Sequence, residues 1–462
     1  MTQKIPEDLM VSVSGFRGRV GDPLTPELVC ELAGEFTSFL RERNDGEVLI
    51  VARDSRTSGS MLARAVCAGI LSRGLNVLDL GIVATPTAML AVEKEQALGG
   101  IMISASHNPA EWNALKLISH EGSFLDLTMM TSFLNSISEE NQGGLAPWDQ
   151  LGSYQSEENA SNTHIKEILD LSVLDVERLR KRKFKVALDC VRGAGGIIMP
   201  SLLETLGCEV VAIHTEVDGK FPRDPEPTAD NLLELGHLVQ TTGAEVGFAV
   251  DPDVDRLSLV DERGTPLGED MTLAFATDVV LNSRPGCVVT NLSTSQVMDD
   301  VVRHHGSQLI RTSVGEINVV RGMQKQEAPI GGEGNGGVIL PELHYTRDAP
   351  LATALVLQHL LERNEALSEC AARWPRYVIQ KTKITFPTEK LNEVYDVLKS
   401  EMSSAHWDET DGLRIYWSDE RKWVHIRPSG TEPVVRLIAE ACDQNTVEAL
   451  MDDVARHFDD VQ

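Results

Sequence analysis

The amino-acid sequence predicts an α/β protein: three related α/β domains with mixed sheets, followed by a smaller C-terminal α+β domain. Three observations carry this prediction. A pattern of strand, polar loop, helix ended by glycine, and strand occurs three times in the first three-quarters of the chain. Beyond Pro375 that pattern stops and a different one begins. The length, 462 residues, also exceeds what one apolar core organises.

In chain order, the first copy is a strand over Glu47–Asp54, a helical stretch near Ser60–Ser72, Gly74, and a strand over Leu75–Leu80. The second is Lys185–Asp189, the glycine-rich Gly193–Gly196, a helix near Ile198–Leu206, Gly207, and Glu209–Ile213. The third is Cys287–Asn291, a helix near Ser295–His305, Gly306, and Gln308–Arg311. Glycine just past a helix suits the left-handed residue that closes it. Apolar runs between polar loops read as strands buried on both faces, under helices. In the last quarter, Tyr377–Phe386 and Leu413–Ile426 read as strand, and Thr388–Ser400 and Thr446–Phe458 as helix. The polar Gly152–Asn162, the turn at Glu262–Thr265 and the end of a helical stretch at Asn364 mark the joints. The expected domains are therefore 1–160, 161–262, 263–373 and 374–462.

The formal charge is −28, from 70 acidic and 42 basic residues. Such a field repels nucleic acid and anionic membranes, so neither is an expected partner. An anion site in this chain has to be built locally from arginines, backbone amides and a metal. No apolar run has the length of a membrane span. The first residues lack the order of a signal peptide. Seven scattered cysteines, an odd number, fit reduced thiols and a cytoplasmic location.

Four stretches carry chemistry. In the first, the apolar Ile101–Ile103 runs into Ser104-Ala-Ser-His-Asn-Pro109, with Lys116 ten positions after Ser106. Ser106 at a strand end, beside His107, is a candidate covalent carrier; a capping turn is the plainer alternative. In the second, Asp251-Pro-Asp-Val-Asp-Arg256 follows a strand, and alternating carboxylates offer hard ligands suited to Mg²⁺. An EF-hand fails here because Arg256 stands where the turn needs glycine, and a strand-like Leu257–Val260 follows. A solvated acidic turn is disfavoured, since three carboxylates this close repel unless they share a cation. The third is Gly331-Gly-Glu-Gly-Asn-Gly-Gly337, whose Glu333 and Asn335 suit the hydroxyls of a sugar. The fourth is Arg427-Pro-Ser-Gly-Thr-Glu-Pro433, with Arg436 behind it, a compact anion loop. One site drawing a loop from each of the four domains accounts for their spread along the chain.

With these four loops, in this order over nearly the whole length, the chain resembles the α-D-phosphohexomutase superfamily. The resemblance implies four domains around a central active-site cleft. It also implies interconversion of hexose 6-phosphate and hexose 1-phosphate, with Mg²⁺ and a hexose 1,6-bisphosphate as activator and intermediate. Ser106 matches the phosphoserine, and Asp251, Asp253 and Asp255 match its metal ligands. Arg17, in Ser14-Gly-Phe-Arg-Gly18, matches an arginine near the active site; Lys116 matches a proposed general base, with His107 its rival. Arg256 adds positive charge; Glu333 and Asn335 fall in the sugar loop, and Arg427, Ser429, Gly430 and Thr431 in the phosphate loop. The expected partner is a small-molecule sugar phosphate, bound by a monomer or homodimer. Gly332–Ile339 and His344-Tyr-Thr-Arg-Asp348 are most similar to archaeal-type and related bacterial phosphoglucosamine mutases, with phosphomannomutase/phosphoglucomutase the alternative. One departure stands out: many members carry Ser and His where this chain has Asn335 and Gly337. Contacts made by that histidine do not transfer. Outside the class, a hexose-phosphate phosphatase and a non-catalytic sugar-phosphate binding protein compete.

Overall fold

A computed structural model describes residues 5–138, 144–429 and 434–461. Four sheets organise them. In the first, Val48–Arg53 lies between parallel Asn76–Ile82 and Gly99–Ile103, and Trp112–Ser119 runs antiparallel to Gly99–Ile103. In the second, Lys185–Asp189 lies between parallel Glu209–Ile213 and Val246–Val250, and Leu257–Asp261 returns antiparallel. In the third, Val288–Asn291 lies between parallel Leu309–Thr312 and Ile330–Glu333, and Gly337–Ile339 returns antiparallel.

The repeat expected from sequence is thus present, and larger than its sequence signature. Each copy adds a third strand and a hairpin to a fourth. The connections of those hairpins, residues 104–111, 251–256 and 334–336, are the serine, acidic and glycine-rich loops. Three chemically unlike motifs are one structural position used three times. The first sheet extends this core with Met10–Ser12, Gly15–Arg19 and Tyr154–Ser156.

Central strands are apolar without alternation because helices cover both their faces. Leu49, Ile50 and Val51 are all fully buried, the outer two in one apolar cluster and Ile50 in another. Helices Pro26–Arg41 and Gly59–Leu71 pack on each other, with Thr25 capping the first through its hydroxyl. The second and third domains share one continuous core, reaching from Ile165 to Cys370. Helix Ala349–Arg363 is the reason. It is apolar nearly all round, which requires burial on every side, and it packs against helices of both domains.

The fourth domain is a five-stranded antiparallel sheet under helices Leu391–Glu401 and Gln444–Asp460. Here the stretch Leu413–Ile426 is two strands, Leu413–Trp417 and Lys422–Pro428. The polar Ser418-Asp-Glu-Arg421 turns the chain between them, with Arg421 at positive φ. Among the described residues, no helix is long and apolar enough to cross a membrane.

Candidate functional site

The serine loop hangs on one buried arginine. Arg56 Nη2 donates to the carbonyls of Ser106 and Asn108, each at 2.6 Å, and Nη1 to those of Pro109 (2.6 Å) and Trp112 (3.1 Å). Its Nε donates to Asp54 Oδ2 at 3.0 Å, which also accepts from Ser104 Oγ at 2.7 Å. Ser104 Oγ in turn accepts from Ser106 N at 2.9 Å. Burial holds the Asp54 carboxyl above its ordinary range, against the pull of Arg56. Ser106 sits at φ +48, a conformation that costs a non-glycine residue about 1 kcal/mol or more. Four carbonyls fastened to one planar guanidinium keep it there. Its Oγ donates to Asp251 Oδ2 at 2.8 Å, joining the first domain to the second.

Asp251, Asp253 and Asp255 have no exposed surface, and an oxygen from each lies within 4.8 Å of the others. A solvated acidic turn is therefore excluded. Asp253 Oδ2 accepts from Lys116 Nζ at 2.6 Å and from the Thr85 hydroxyl, both in the first domain. Burial works to raise Asp253, but these donors overcome it and hold the carboxyl well below its usual range. Asp251 goes the other way: burial, then the charges of Asp255 and Asp253, push it far upward. The Oδ1 atoms of Asp253 and Asp255 are buried without a hydrogen-bond partner among the described residues. Three buried carboxylates with two unmet oxygens are a donor set that fits a hard divalent cation.

Around Ser106 stand the other predicted groups. Arg17 Nη1 donates to Asn108 Oδ1 at 2.6 Å, and burial lowers its guanidinium. His107 Nδ1 lies 3.4 Å from Ser106 Oγ. Burial, followed by the charges of Arg256 and Arg17, depresses the imidazole well below its ordinary value. Lys116 enters from strand Trp112–Ser119, with Asp255 Oδ2 3.9 Å from its ammonium. Arg256 pairs with Glu226 at 2.8 Å.

The glycine-rich loop is a tight three-residue turn. Leu257 N donates to Gly336 O at 3.0 Å, so this hairpin rests on the base of the acidic one. Glu333 is buried, and its Oε1 accepts from Asn291 Nδ2 (2.8 Å) and Gly315 N (3.2 Å). Its Oε2 accepts from Arg347 Nη1 (2.9 Å) and Asn335 Nδ2 (3.3 Å). Burial would raise this carboxyl; Arg347 and Asn291 hold it below its usual range instead. Asn335 is half-buried.

Two residues escaped the sequence reading. Arg56 is one. Arg347 is the other: it binds Glu316 through Nε (3.2 Å), Glu333 through Nη1 and Asp255 through Nη2 (2.5 Å). One side chain thereby ties the glycine-rich loop to the acidic loop. Its signal in sequence was position, next to Asp348, which caps a helix with Pro350 in its first turn. Away from these loops, His164 and His344 both reach Asp348 Oδ2, at 2.7 and 2.8 Å. These are hydrogen-bonding distances, and His164 Nδ1 lies 2.9 Å from the Thr87 hydroxyl, while His344 Nδ1 is buried without a hydrogen-bond partner among the described residues.

In the fourth domain Arg427 ion-pairs with Asp411 Oδ2 at 2.9 Å, and Ser429 N donates to Val434 O at 2.8 Å. Gly430 and Thr431 lie outside the described residues. Asp411 Oδ2 also accepts from Val314 N of the third domain at 2.9 Å. Contacts thus run from Arg427 through Asp411, the 314–315 backbone, Glu333, Arg347 and the aspartates to Ser106.

Comparison with known proteins agrees with this layout. Four phosphoglucomutase/phosphomannomutase models match in succession: alpha/beta/alpha domain I over residues 9–143, domain II over 162–264, domain III over 268–377 and the C-terminal domain over 382–457. A protein from Methanopyrus kandleri, described as a probable phosphoglucosamine mutase, is 35% identical over 446 residues, 95% of each chain. The crystal structure of a phosphoglucomutase/phosphomannomutase family protein from Burkholderia thailandensis superposes with a TM-score of 0.85 at 25% identity, over 98% of this chain and 97% of that one. The fold is shared with Aspergillus fumigatus N-acetylphosphoglucosamine mutase, solved with GlcNAc-6P and magnesium (TM-score 0.64, 13% identity, 98% and 96% covered).

Proposed function

This chain belongs to the phosphoglucomutase/phosphomannomutase family and is a phosphohexomutase, an intramolecular phosphotransferase, and from that premise we propose its sugar and the work of its residues. The reaction is glucosamine 6-phosphate to glucosamine 1-phosphate, through phospho-Ser106 and a bound 1,6-bisphosphate. The observation that carries the mechanism is Ser106 Oγ, 2.8 Å from Asp251, at the edge of three buried carboxylates.

In the first step the bond from Ser106 Oγ to phosphorus breaks and one from a sugar oxygen forms. The sugar hydroxyl gives its proton to a base. The bisphosphate then turns around and its other phosphoryl group returns to Ser106. Phosphoryl transfer needs positioning and charge neutralisation more than covalent help. Asp251, Asp253 and Asp255, with Ser106 Oγ, would hold Mg²⁺, which supplies that neutralisation when bound. His107 is placed to act as the base, its Nδ1 lying 3.4 Å from Ser106 Oγ. Lys116 is engaged with Asp253 and orients it. Arg17 and Arg256 offset charge at the transferring group. Arg427, Ser429, Gly430 and Thr431 hold the phosphate that is not reacting, and Glu333 with Asn335 reads the sugar.

Glucosamine is favoured by the similarity to the Methanopyrus kandleri protein. Magnesium and a sugar phosphate are what the Aspergillus fumigatus structure contains. We place the domain cuts at 1–160, 161–262, 263–373 and 374–462 and the protein, monomer or homodimer, in the cytoplasm. That location is consistent with seven cysteines free of disulfides.

Initial rates on glucosamine, glucose, mannose and N-acetylglucosamine phosphates, primed with a 1,6-bisphosphate, test the assignment. The highest kcat/KM falls on glucosamine phosphate; a strong preference for mannose phosphate overturns that choice. Inorganic phosphate released as fast as substrate disappears would make the protein a phosphatase. Ser106→Ala that isomerises as well as the parent would end the phosphoserine mechanism.

A further inference from the structure

Glu333 is the most heavily bonded carboxylate of the site, and both donors to its Oε1 lead to the fourth domain. The first path begins at Arg427. Asp411 Oδ2 pairs with that guanidinium and accepts from Val314 N, each at 2.9 Å. The next residue, Gly315, donates its amide to Glu333 Oε1. Gly315 sits at φ +124, where a side chain is strained, so this amide is aimed by a conformation suited to glycine. A neighbouring contact, Ser313 Oγ to Thr410 O at 3.2 Å, fastens the same two segments.

The second path begins two residues before Arg427. His425 Nε2 lies 2.6 Å from the Asp411 carbonyl, and Nδ1 lies 2.9 Å from Ser293 Oγ. A carbonyl only accepts, so Nε2 carries the proton and Nδ1 accepts from Ser293. Ser293 N donates to Asn291 Oδ1 at 2.9 Å, and Asn291 Nδ2 donates to Glu333 Oε1 at 2.8 Å. His425 and Asn291 are both buried, so water does not readily stand in for either.

Two routes with different chemistry thus leave one strand of the fourth domain and end on one oxygen. We propose that Asp411 and His425 are positioning residues by which the phosphate-loop strand sets the Glu333 carboxylate. This rests on the reading of Glu333 as a sugar contact and Arg427 as a phosphate contact. The consequence is a form of specificity that no single loop possesses. The sugar carboxylate is correctly held only when the fourth domain is seated, and that domain carries the arginine for the non-reacting phosphate. A sugar lacking the distal phosphate would then be penalised at both ends.

A double-mutant cycle on kcat/KM with glucosamine 6-phosphate tests it, using Asp411→Ala, Ser293→Ala and Glu333→Gln. Each single variant is expected to lose about tenfold or more, while Asp411→Ala and Ser293→Ala cost less than about twofold further in the Glu333→Gln background. Denaturant midpoints taken alongside identify any variant that has merely unfolded; Ser293→Ala, a loss of one hydroxyl, is the variant that stays folded. Losses that multiply in both pairs overturn the proposal, because a purely structural role does not care whether Glu333 is present. A parent that does not isomerise hexose phosphates, or a Glu333→Gln as active as the parent, brings down the underlying reading instead.

Discussion

The acidic hairpin of the second domain and the glycine-rich hairpin of the third occupy the same place in sheets of the same topology, yet their carboxylates are in opposite states. Among the described residues, Asp253 and Asp255 each leave a buried oxygen without a hydrogen-bond partner, and Asp251 is pushed upward by burial and by two like charges. Both oxygens of Glu333 accept hydrogen bonds, from Asn291 and Gly315 on one and from Arg347 and Asn335 on the other. A buried polar atom left unpaired costs about 1–3 kcal/mol, and the first arrangement is one that a bound cation would complete. The second is complete without one. Unmet valence therefore tells the two positions apart: a donor set that fits a metal at the acidic hairpin, a hydrogen-bonded carboxylate at the glycine-rich one.

The largest expected effect comes from cutting the link between them. Arg347→Met leaves Asp255, Glu316 and Glu333 buried without their shared cation, and the loss should be about 3–5 kcal/mol in denaturant unfolding. A loss under about 1 kcal/mol would mean that the two hairpins are held together by packing alone. Added Mg²⁺ comes next. At a hundred times its Kd it should stabilise the parent by about 2.7 kcal/mol. Asp253→Asn should abolish that gain and Glu333→Gln should keep it; equal responses of the two variants would erase the distinction drawn above.

Gly336 probes the contact between the hairpins. It has φ +85, and a Cβ there would lie 2.3 Å from the Leu257 carbonyl. Gly336→Ala should cost about 1–3 kcal/mol, while Gly306→Ala, with φ +62 but open space around it, should cost less. Thermal melts of the pair decide it. The last effect concerns pH. Burial lowers His425 to about 4 against an ordinary 6.5. A depressed pKa gives stability that is present above the unfolded value and lost as pH falls through the folded one. Between pH 6.5 and 4 the parent should therefore lose up to about 3 kcal/mol more than His425→Asn. Parallel curves for the two proteins would place the imidazole in water rather than against Ser293.

The comparison also shows what sequence could reveal. Ser106, the three aspartates and the glycine run were legible because each is a dense local anomaly at the end of an apolar strand. Arg347 and Arg56 are single arginines whose partners are scattered: Asp255 and Glu316 for one, the carbonyls of residues 106–112 for the other. Asp348 beside Arg347 and Asp54 near Arg56 are weak local marks, and the partners that matter lie far along the chain. The equivalence of the three hairpins was hidden for a related reason. The helix-ending glycine made the first two strands of each unit recognisable, whereas the third and fourth meet at turns whose compositions share nothing. The hairpin within Leu413–Ile426 was masked by strand-forming residues on both sides of a short polar turn.

All of this converges on Ser106 as the carrier. Incubating the protein with a hexose 1,6-bisphosphate radiolabelled in phosphate, then mapping the label, measures that directly. One phosphoryl group per chain should appear on the peptide spanning Ser106 and should leave for the sugar when unlabelled glucosamine 6-phosphate is added. Label on another residue, or label on Ser106 that substrate does not remove, would contradict the account.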